Sequence, residues 1–216
     1  VFILHPYNKV SDIQRRQMTT ILDDNVFNIA VEGTFDDCQR IVKELFIDDD
    51  LQQKTSLTAI NSINWARLIA QVVYYFWAFL QIDEKEINFI VPSGNFGNIF
   101  SAFVAKQMGL PIGHLHIATN SNDILKSIVV TGEMKKKSVS QTYSPSMDIQ
   151  VSSNFERQIF ESLNRDSKRV NEVFESFLSK GFYQFDDSVL AKFQQIYKAS
   201  SIDDSQTLET IKYIYE

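Results

Sequence analysis

The sequence predicts an α/β protein built around a parallel β-sheet. Short apolar segments typical of strands alternate with longer segments that have the period of amphipathic helices. Strand, helix, strand, helix is the order expected when each helix returns the chain to the same end of a sheet. The 216 residues are enough for one large hydrophobic core or two small ones.

The composition restricts which partners the protein can bind and indicates its cellular compartment. The net charge of −6 argues against nucleic acid or an anionic membrane as partner, because both require a basic surface. The local run Lys135–Lys137 follows a glycine and is interpreted as a solvated loop. Cys38 is the only cysteine, so no internal disulfide forms, and we expect a reducing, cytoplasmic location.

The first part of the chain contains two strand–helix pairs. "VFILHP" is a strand, and the helix after it begins at a cap at Ser11 and runs to about Ile21. The range Asn25–Val31 is a second strand. Thr34 caps the next helix, in which Cys38 has helical spacing with other apolar residues and is expected to be a buried structural thiol. The polar stretch Asp48–Ala59 is the best candidate for a domain boundary or a crossover connection.

A long helix and a second series of strands follow that boundary. The helix runs from about Ile63 to Leu80 and is too short in its apolar part to span a bilayer. "INFIVPS" is the next strand, followed by a glycine loop and a helix that ends at Gly109. Another strand covers His114–Thr119. The apolar stripe predicted for the core face of the long helix is Ile69, Val72, Val73, Phe76 and Leu80.

The last third of the chain is predicted to be a loop followed by helices. Residues 131–153 show no period and are expected to be irregular. Helical patterns return in "NFERQIFESLN", "KRVNEVFESFLSKG", "DDSVLAKFQQIYKAS" and "QTLETIKYIYE". His114 and His116 share a strand face but have no third ligand at a recognisable spacing, so we interpret them as packing or surface residues and expect no metal site.

The loop in "FIVPSGNFGNIFSAF" is the first candidate site. The N–H groups at the start of a helix lack acceptors and lie at its positive end, so they attract anions. Glycine permits close approach to an anion, and asparagine adds amide donors. The spacing fits neither a P-loop nor a dinucleotide-binding motif. The pattern leaves two interpretations open, a phosphate-binding loop and a purely structural turn. The candidate residues are Gly94, Asn95, Phe96, Gly97 and Asn98.

The stretch "NSINWAR" is a second candidate site, at the start of the long helix. An arginine with amide and hydroxyl donors at a helix start can bind an oxyanion. A capped helix with a surface arginine explains the same pattern, and Ser62 could be either the cap or a ligand. Two phosphate sites would suit a phosphorylated cofactor and a phosphorylated substrate. The candidate residues are Asn61, Ser62, Asn64 and Arg67.

Four motifs in this order and spacing resemble the threonine synthase family of bacteria and fungi. They are "NSINWARLIAQVVYYFWAF", "VPSGNFGN", "GLPI…IATNSNDIL" and "SPSMDIQVSSNFER". The resemblance implies the three-layer, Rossmann-like parallel-sheet architecture of fold type II pyridoxal phosphate (PLP) enzymes, like that of tryptophan synthase β. It also implies that residues 1–48 are part of a small α/β domain and residues 49–216 part of a large, PLP-binding domain.

The resemblance further implies an activity and roles for both candidate sites. Threonine synthases convert O-phosphohomoserine and water into threonine and phosphate with PLP as cofactor. The segment Gly94–Asn98 matches the loop that holds the cofactor phosphate in the family. Ser62, Asn64 and Arg67 match residues associated with the substrate phosphate, and Asn61 is a weaker candidate. The oligomeric state is not predicted.

Other parts of the family's active site have no counterpart in this sequence. The resemblance places the Schiff-base lysine and the Ser-Gly-Asp-Thr-Gly loop before the region matched by Val1. It places a threonine-bearing segment that meets the cofactor ring after the matched region. No lysine here has the family's context, including Lys9, Lys43 and Lys106. We therefore expect a fragment with no catalytic residue of its own and no turnover. The alternatives are another fold type II lyase, such as a threonine or serine dehydratase, and a non-catalytic phosphate-binding domain.

Overall fold

The computed structural model describes residues 1–60 and 64–216. They form two compact units, Val1–Thr58 and Ala59–Glu216. The assignment of residues 1–48 and 49–216 to a small and a large domain stays a prediction.

The first unit is a parallel strand pair with its connecting helices. The two strands pair from Phe2 opposite Phe27 to Pro6 opposite Val31. Both predicted helix caps are confirmed, because the Ser11 and Thr34 side chains each accept an N–H from the third helical residue. A short helix occupies part of the polar stretch predicted as a boundary. The elements are β1 (Phe2–Pro6), α1 (Asp12–Thr19), β2 (Phe27–Val31), α2 (Phe35–Ile47) and α3 (Asp49–Lys54).

Cys38 is buried on α2, as predicted. Burial raises the pKa of its thiol, and the nearby Asp37 carboxylate raises it further. At neutral pH the thiol is therefore protonated, which agrees with a structural role rather than a nucleophilic one.

The second unit contains a three-stranded parallel sheet surrounded by helices. Helices that precede and follow the central strand in the sequence pack against it. A separate pair of short strands is antiparallel. The elements are α4 (Trp65–Leu80), β3 (Ile87–Pro92), α5 (Gly97–Gln107), β4 (Ile112–Thr119), α6 (Ile124–Thr131), β5 (Glu133–Lys135), a 3-10 turn (Pro145–Met147), α7 (Phe155–Ser162), α8 (Ser167–Lys180), β6 (Phe182–Gln184), α9 (Asp187–Ile196), β7 (Tyr197–Ser201) and α10 (Asp204–Tyr215).

The order of the parallel sheet, β3–β4–β7, sets the position of the candidate site. Leu115 and Ile117 of β4 are completely buried, as expected for a central strand of a parallel sheet. All three strands run in the same direction, so their carboxyl ends lie at one edge. Ligands of open α/β sheets bind at that edge. The glycine loop follows the carboxyl end of β3 and therefore lies there.

The core face predicted for α4 is largely wrong. Leu68, Val72 and Tyr75 are the buried residues of this helix, whereas Ile69, Val73 and Leu80, three of the five predicted, are at least half exposed. The helix is apolar nearly all round, so its period alone does not select a face.

Two further predictions change in the last third of the chain. The pattern "DDSVLAKFQQIYKAS" was expected to be one helix, but the helix ends at Ile196 and the residues after it form β7. Tyr197 pairs with Leu115, and this pairing continues to Ser201 opposite Thr119. Tertiary pairing with the sheet thus overrides the local pattern. The tract 131–153, predicted to be a loop, contains the short strand β5 and the 3-10 turn.

Both histidines of β4 have positions that fit packing or surface roles. His114 is exposed, and the Nε2 atom of His116 lies 2.8 Å from the Ser200 hydroxyl of β7. In the described ranges no group of three potential ligands is placed to hold a metal ion. Among the same residues, no helix combines the length and hydropathy needed to cross a bilayer.

Candidate functional site

The glycine loop forms the first turn of α5 without any side-chain cap. Phe96 is the N-cap residue, in the left-handed conformation at φ 63° and ψ −3°. The Phe100 N–H donates to the Phe96 carbonyl at 2.9 Å. In the part of the chain that the structure describes, the N–H groups of Gly97, Asn98 and Ile99 donate to no backbone carbonyl. They provide the set of donors that an anion binds at a helix N-terminus.

Phe96 contributes its backbone to the loop and its ring to the core. The ring is 1% exposed and makes edge contacts with Phe155 at 4.9 Å and Tyr197 at 5.5 Å between centroids. A positive φ is unfavourable for an aromatic residue, so this packing holds the conformation that opens the turn. The left-handed residue of the loop is therefore a phenylalanine.

Gly94 is required by protein packing. A Cβ atom at this position would lie 2.9 Å from the Met147 Cα atom and 3.1 Å from the Ser146 carbonyl oxygen. Both are backbone atoms, which cannot move aside as a flexible side chain does. The segment "SPSMDIQ" therefore lies directly against the glycine loop.

Asn95 joins the loop to the start of α7. Its side-chain oxygen accepts the Ser153 N–H at 2.9 Å, and its carbonyl accepts the Asn154 N–H at 3.3 Å and the Asn154 side-chain amide at 3.1 Å. The oxygen atoms of Asn95 are thus engaged within the protein. Next to these contacts, the Ser152 hydroxyl is buried and has no hydrogen-bond partner among the described residues.

Asn98 is exposed in the first turn of α5 and forms hydrogen bonds with the buried Tyr75. The Tyr75 hydroxyl lies 2.7 Å from the Asn98 side-chain oxygen and 3.1 Å from its carbonyl oxygen. Burial raises the pKa of Tyr75, so its hydroxyl remains protonated and donates at neutral pH. Of the five predicted loop residues, Asn98 is the one whose side chain is both exposed and oriented by a buried partner.

The second candidate site is only partly described. Asn61 and Ser62 lie outside the described residues. Asn64 is the N-cap of α4, so the cap is not Ser62, and its side chain accepts the Ala66 N–H at 2.9 Å and donates to the Ala59 carbonyl at 2.8 Å. Arg67 is exposed, with its guanidinium donating to the Ile60 carbonyl at 2.5 Å. Asn64 thus caps α4, and Arg67 has an exposed side chain.

The first turns of α4 and α5 are in contact, which brings the two candidate sites together. The Ser101 hydroxyl of α5 donates to the Leu68 carbonyl of α4 at 3.0 Å. The rings of Trp65 and Phe100 lie 6.2 Å apart. Because each helix start carries a partial positive charge, the contact creates one region suited to negative groups.

Arg157 of α7 connects the same two sites. Its guanidinium lies 5.4 Å from the Trp65 ring centroid, and its Nε atom donates to the Asn154 side-chain oxygen at 3.2 Å. Asn154 in turn donates to Asn95. Neither Arg157 nor Tyr75 was assigned a role from sequence. The motif "SSNFER" was a signal for Arg157, whereas Tyr75 was hidden in an apolar run.

Lys106 lies far from the glycine loop, at the other end of the sheet. Lys106 donates to the carbonyls of Ile112 and Gly113. These carbonyls lie at the amino end of β4, the opposite end of the sheet from the loop.

The chain is similar in sequence to known threonine synthases. No family model matches the sequence. Threonine synthase of Pseudomonas aeruginosa is 47% identical over 217 aligned residues, which cover all of this chain and 46% of that protein. Threonine synthase of Saccharomyces cerevisiae is 44% identical, with all of this chain and 45% of that protein covered. The chain thus spans a little under half the length of these relatives.

Solved structures of threonine synthases have the same fold as this chain. PLP-bound threonine synthase from Brucella melitensis superposes with a TM-score of 0.84 at 44% identity, covering 99% of this chain and 46% of that one. The yeast threonine synthase structure gives a TM-score of 0.85 at 43% identity, covering 100% of this chain and 45% of that one. Maize serine racemase, 13% identical with a TM-score of 0.56, shares the fold alone.

The fold is that of the fold type II class, as predicted. Within that class, the chain is homologous to the threonine synthases along its whole length.

Proposed function

We propose that this chain is the phosphate-binding part of a threonine synthase, which converts O-phosphohomoserine and water into threonine and inorganic phosphate. The observation that carries the proposal is the helix start of α5, with three N–H donors, in a chain 47% identical to a threonine synthase. A cytoplasmic location, inferred from the single cysteine, belongs to the same proposal.

The residues of the loop fit the phosphate of PLP. The donors at the start of α5 are N–H groups and the exposed Asn98 amide, with no carboxylate among residues 94–98. A phosphate dianion accepts several such donors and interacts favourably with the helix dipole. When bound, PLP would supply the electron-withdrawing ring that stabilises negative charge on the substrate carbons. The chain's own contribution is to hold the cofactor phosphate in place.

Arg67 is the proposed partner of the substrate phosphate. It is exposed at the first turn of α4, next to the first turn of α5. Arginine binds phosphate with two parallel hydrogen bonds, and the adjacent helix start adds positive potential. This arrangement would hold the phosphate that leaves during the reaction beside the cofactor.

Replacing Arg67 tests the proposal in the protein that carries this chain. We expect Arg67→Ala to raise KM for O-phosphohomoserine by about 10- to 100-fold, the loss expected for charge-assisted hydrogen bonds. Release of phosphate and of threonine is measured in the presence of PLP. Arg165→Ala is the matched control, because Arg165 is exposed and pairs with Glu161 on the surface.

The outcomes separate this function from its alternatives. Equal release of threonine and phosphate, lost selectively on Arg67 replacement, supports the proposal. The substrate of a threonine dehydratase carries no phosphate. The proposal is therefore contradicted if the enzyme binds PLP, releases no phosphate, and keeps the same activity after Arg67→Ala. For the 216 residues alone we expect phosphate binding without turnover.

A further inference from the structure

Tyr75 lies under the proposed cofactor site without reaching its surface. It is on the third turn of α4, is 5% exposed, and packs its ring edge-on to Phe89 of β3 at 4.8 Å. Its hydroxyl lies at the first turn of α5, against Asn98. A core tyrosine whose hydroxyl ends at a ligand-binding residue is a candidate positioning residue.

The contact with Tyr75 orients the Asn98 side-chain amide. The Tyr75 hydroxyl donates to the Asn98 side-chain oxygen at 2.7 Å, the shorter of its two contacts. In this arrangement the carboxamide oxygen faces Tyr75, and the NH₂ group of the same planar amide faces away from it. Asn98 itself is exposed and lies in the first turn of α5.

We propose that Tyr75 is a positioning residue that fixes the Asn98 amide with its NH₂ group toward the cofactor phosphate. The inference rests on the proposed function of the loop and adds a residue that orients one of its side chains for binding. Without the hydroxyl, the amide can rotate by half a turn and present its oxygen, an acceptor, to an anion. That orientation repels phosphate, so the contribution of the Asn98 side chain depends on a residue that does not touch the ligand.

The test uses Tyr75→Phe in the 216-residue chain, with Tyr183→Phe as the control. Tyr183 lies on β6, is partly buried, and packs its ring edge-on to Phe185 at 5.0 Å, so it takes no part in the glycine loop. Binding of inorganic phosphate and of pyridoxine 5′-phosphate, which lacks the reactive aldehyde, is followed by NMR through the Asn98 side-chain NH₂ signals. Thermal unfolding of both variants controls for loss of structure.

We expect Tyr75→Phe to weaken phosphate affinity about 5- to 10-fold, the loss of one well-placed hydrogen bond, while Tyr183→Phe changes it less than about twofold. The Asn98 NH₂ signals should move on phosphate addition in the unmodified chain and in Tyr183→Phe, but not in Tyr75→Phe. Asn98→Ala should weaken binding as much as Tyr75→Phe, and the double variant should be no weaker than Asn98→Ala, because the two residues act as one unit.

Two results would overturn the inference. Unchanged phosphate affinity in Tyr75→Phe contradicts it, and so do additive losses in the double variant. If the unmodified chain binds neither phosphate probe, the proposed function of the loop fails and the inference fails with it, so the two failures are distinguishable.

Discussion

Phe96→Ala is expected to lower the free energy of unfolding by about 3–5 kcal/mol, the usual loss when a fully buried phenylalanine is truncated. The Phe96 ring is 1% exposed and contacts Phe155 of α7 and Tyr197 of β7. It therefore joins the glycine loop to two elements that are distant in sequence. Urea unfolding followed by circular dichroism measures the change in midpoint.

A second substitution at the same position separates packing from backbone strain. Phe96 adopts φ 63°, where glycine is favoured over alanine by about 1–2 kcal/mol. Phe96→Gly removes the same ring and relieves the strain, so we expect it to be more stable than Phe96→Ala by about 1 kcal/mol. Alanine is usually the better residue in helices, so this order is diagnostic. If Phe96→Ala is the more stable variant, the left-handed turn is not held as described.

Sequence predicted the elements that form the proposed site because its signals there are strong and local. The strand before the glycine loop, the helix after it, the glycine that ends that helix and the next strand all lie where the pattern puts them. A strand bounded by proline and a helix bounded by glycine are defined by backbone chemistry that neighbouring residues cannot override. The helix start that forms the candidate anion site could therefore be located from the sequence.

The same reasoning failed where local signals were balanced. Helix α4 has apolar residues on nearly every side, so Ile69 and Leu68 are equally good core candidates by sequence, and only packing against α5 buries Leu68. The segment that begins at Tyr197 has a helical pattern, but the open edge of β4 pairs with it as a strand. Tertiary contacts decided both cases.

The roles of individual loop residues were beyond the reach of sequence for a different reason. Gly94 and Asn95 are in contact with Met147 and Ser153, more than fifty positions away. No local pattern encodes which of two glycines faces a backbone and which asparagine faces solvent. The loop could be recognised as a candidate anion site, but its residues could be assigned to structure or to ligand only after the chain was folded.

Asp148 is the residue that should reveal how the motif "SPSMDIQ" supports the glycine loop. Its carboxylate accepts hydrogen bonds from the Asn120 side chain at 2.8 Å, from the Asn122 side chain at 3.0 Å, and from the Thr142 hydroxyl and N–H at 2.7 and 3.0 Å. Asn120 and Asn122 are buried just beyond the carboxyl end of β4. One side chain thereby fastens the segment that lies over Gly94 to the ligand-binding edge of the sheet.

We expect Asp148→Ala to lower the free energy of unfolding by about 3 kcal/mol, because buried donors lose a charged acceptor together. Asp123→Ala is the control: Asp123 forms a surface ion pair with Lys137 at 2.7 Å, and its loss should cost less than about 1 kcal/mol. Hydrogen exchange at the Thr142 amide, which donates to Asp148, should accelerate in Asp148→Ala alone.

The Asp148 result bears on why the motif is there. If Asp148→Ala loosens the segment and weakens phosphate binding, the motif acts by holding Met147 and Ser146 against Gly94, and its contribution to function is indirect. If stability and exchange are unchanged while phosphate affinity falls, Asp148 acts on the ligand, and the hydrogen-bond network described here does not carry the motif's role.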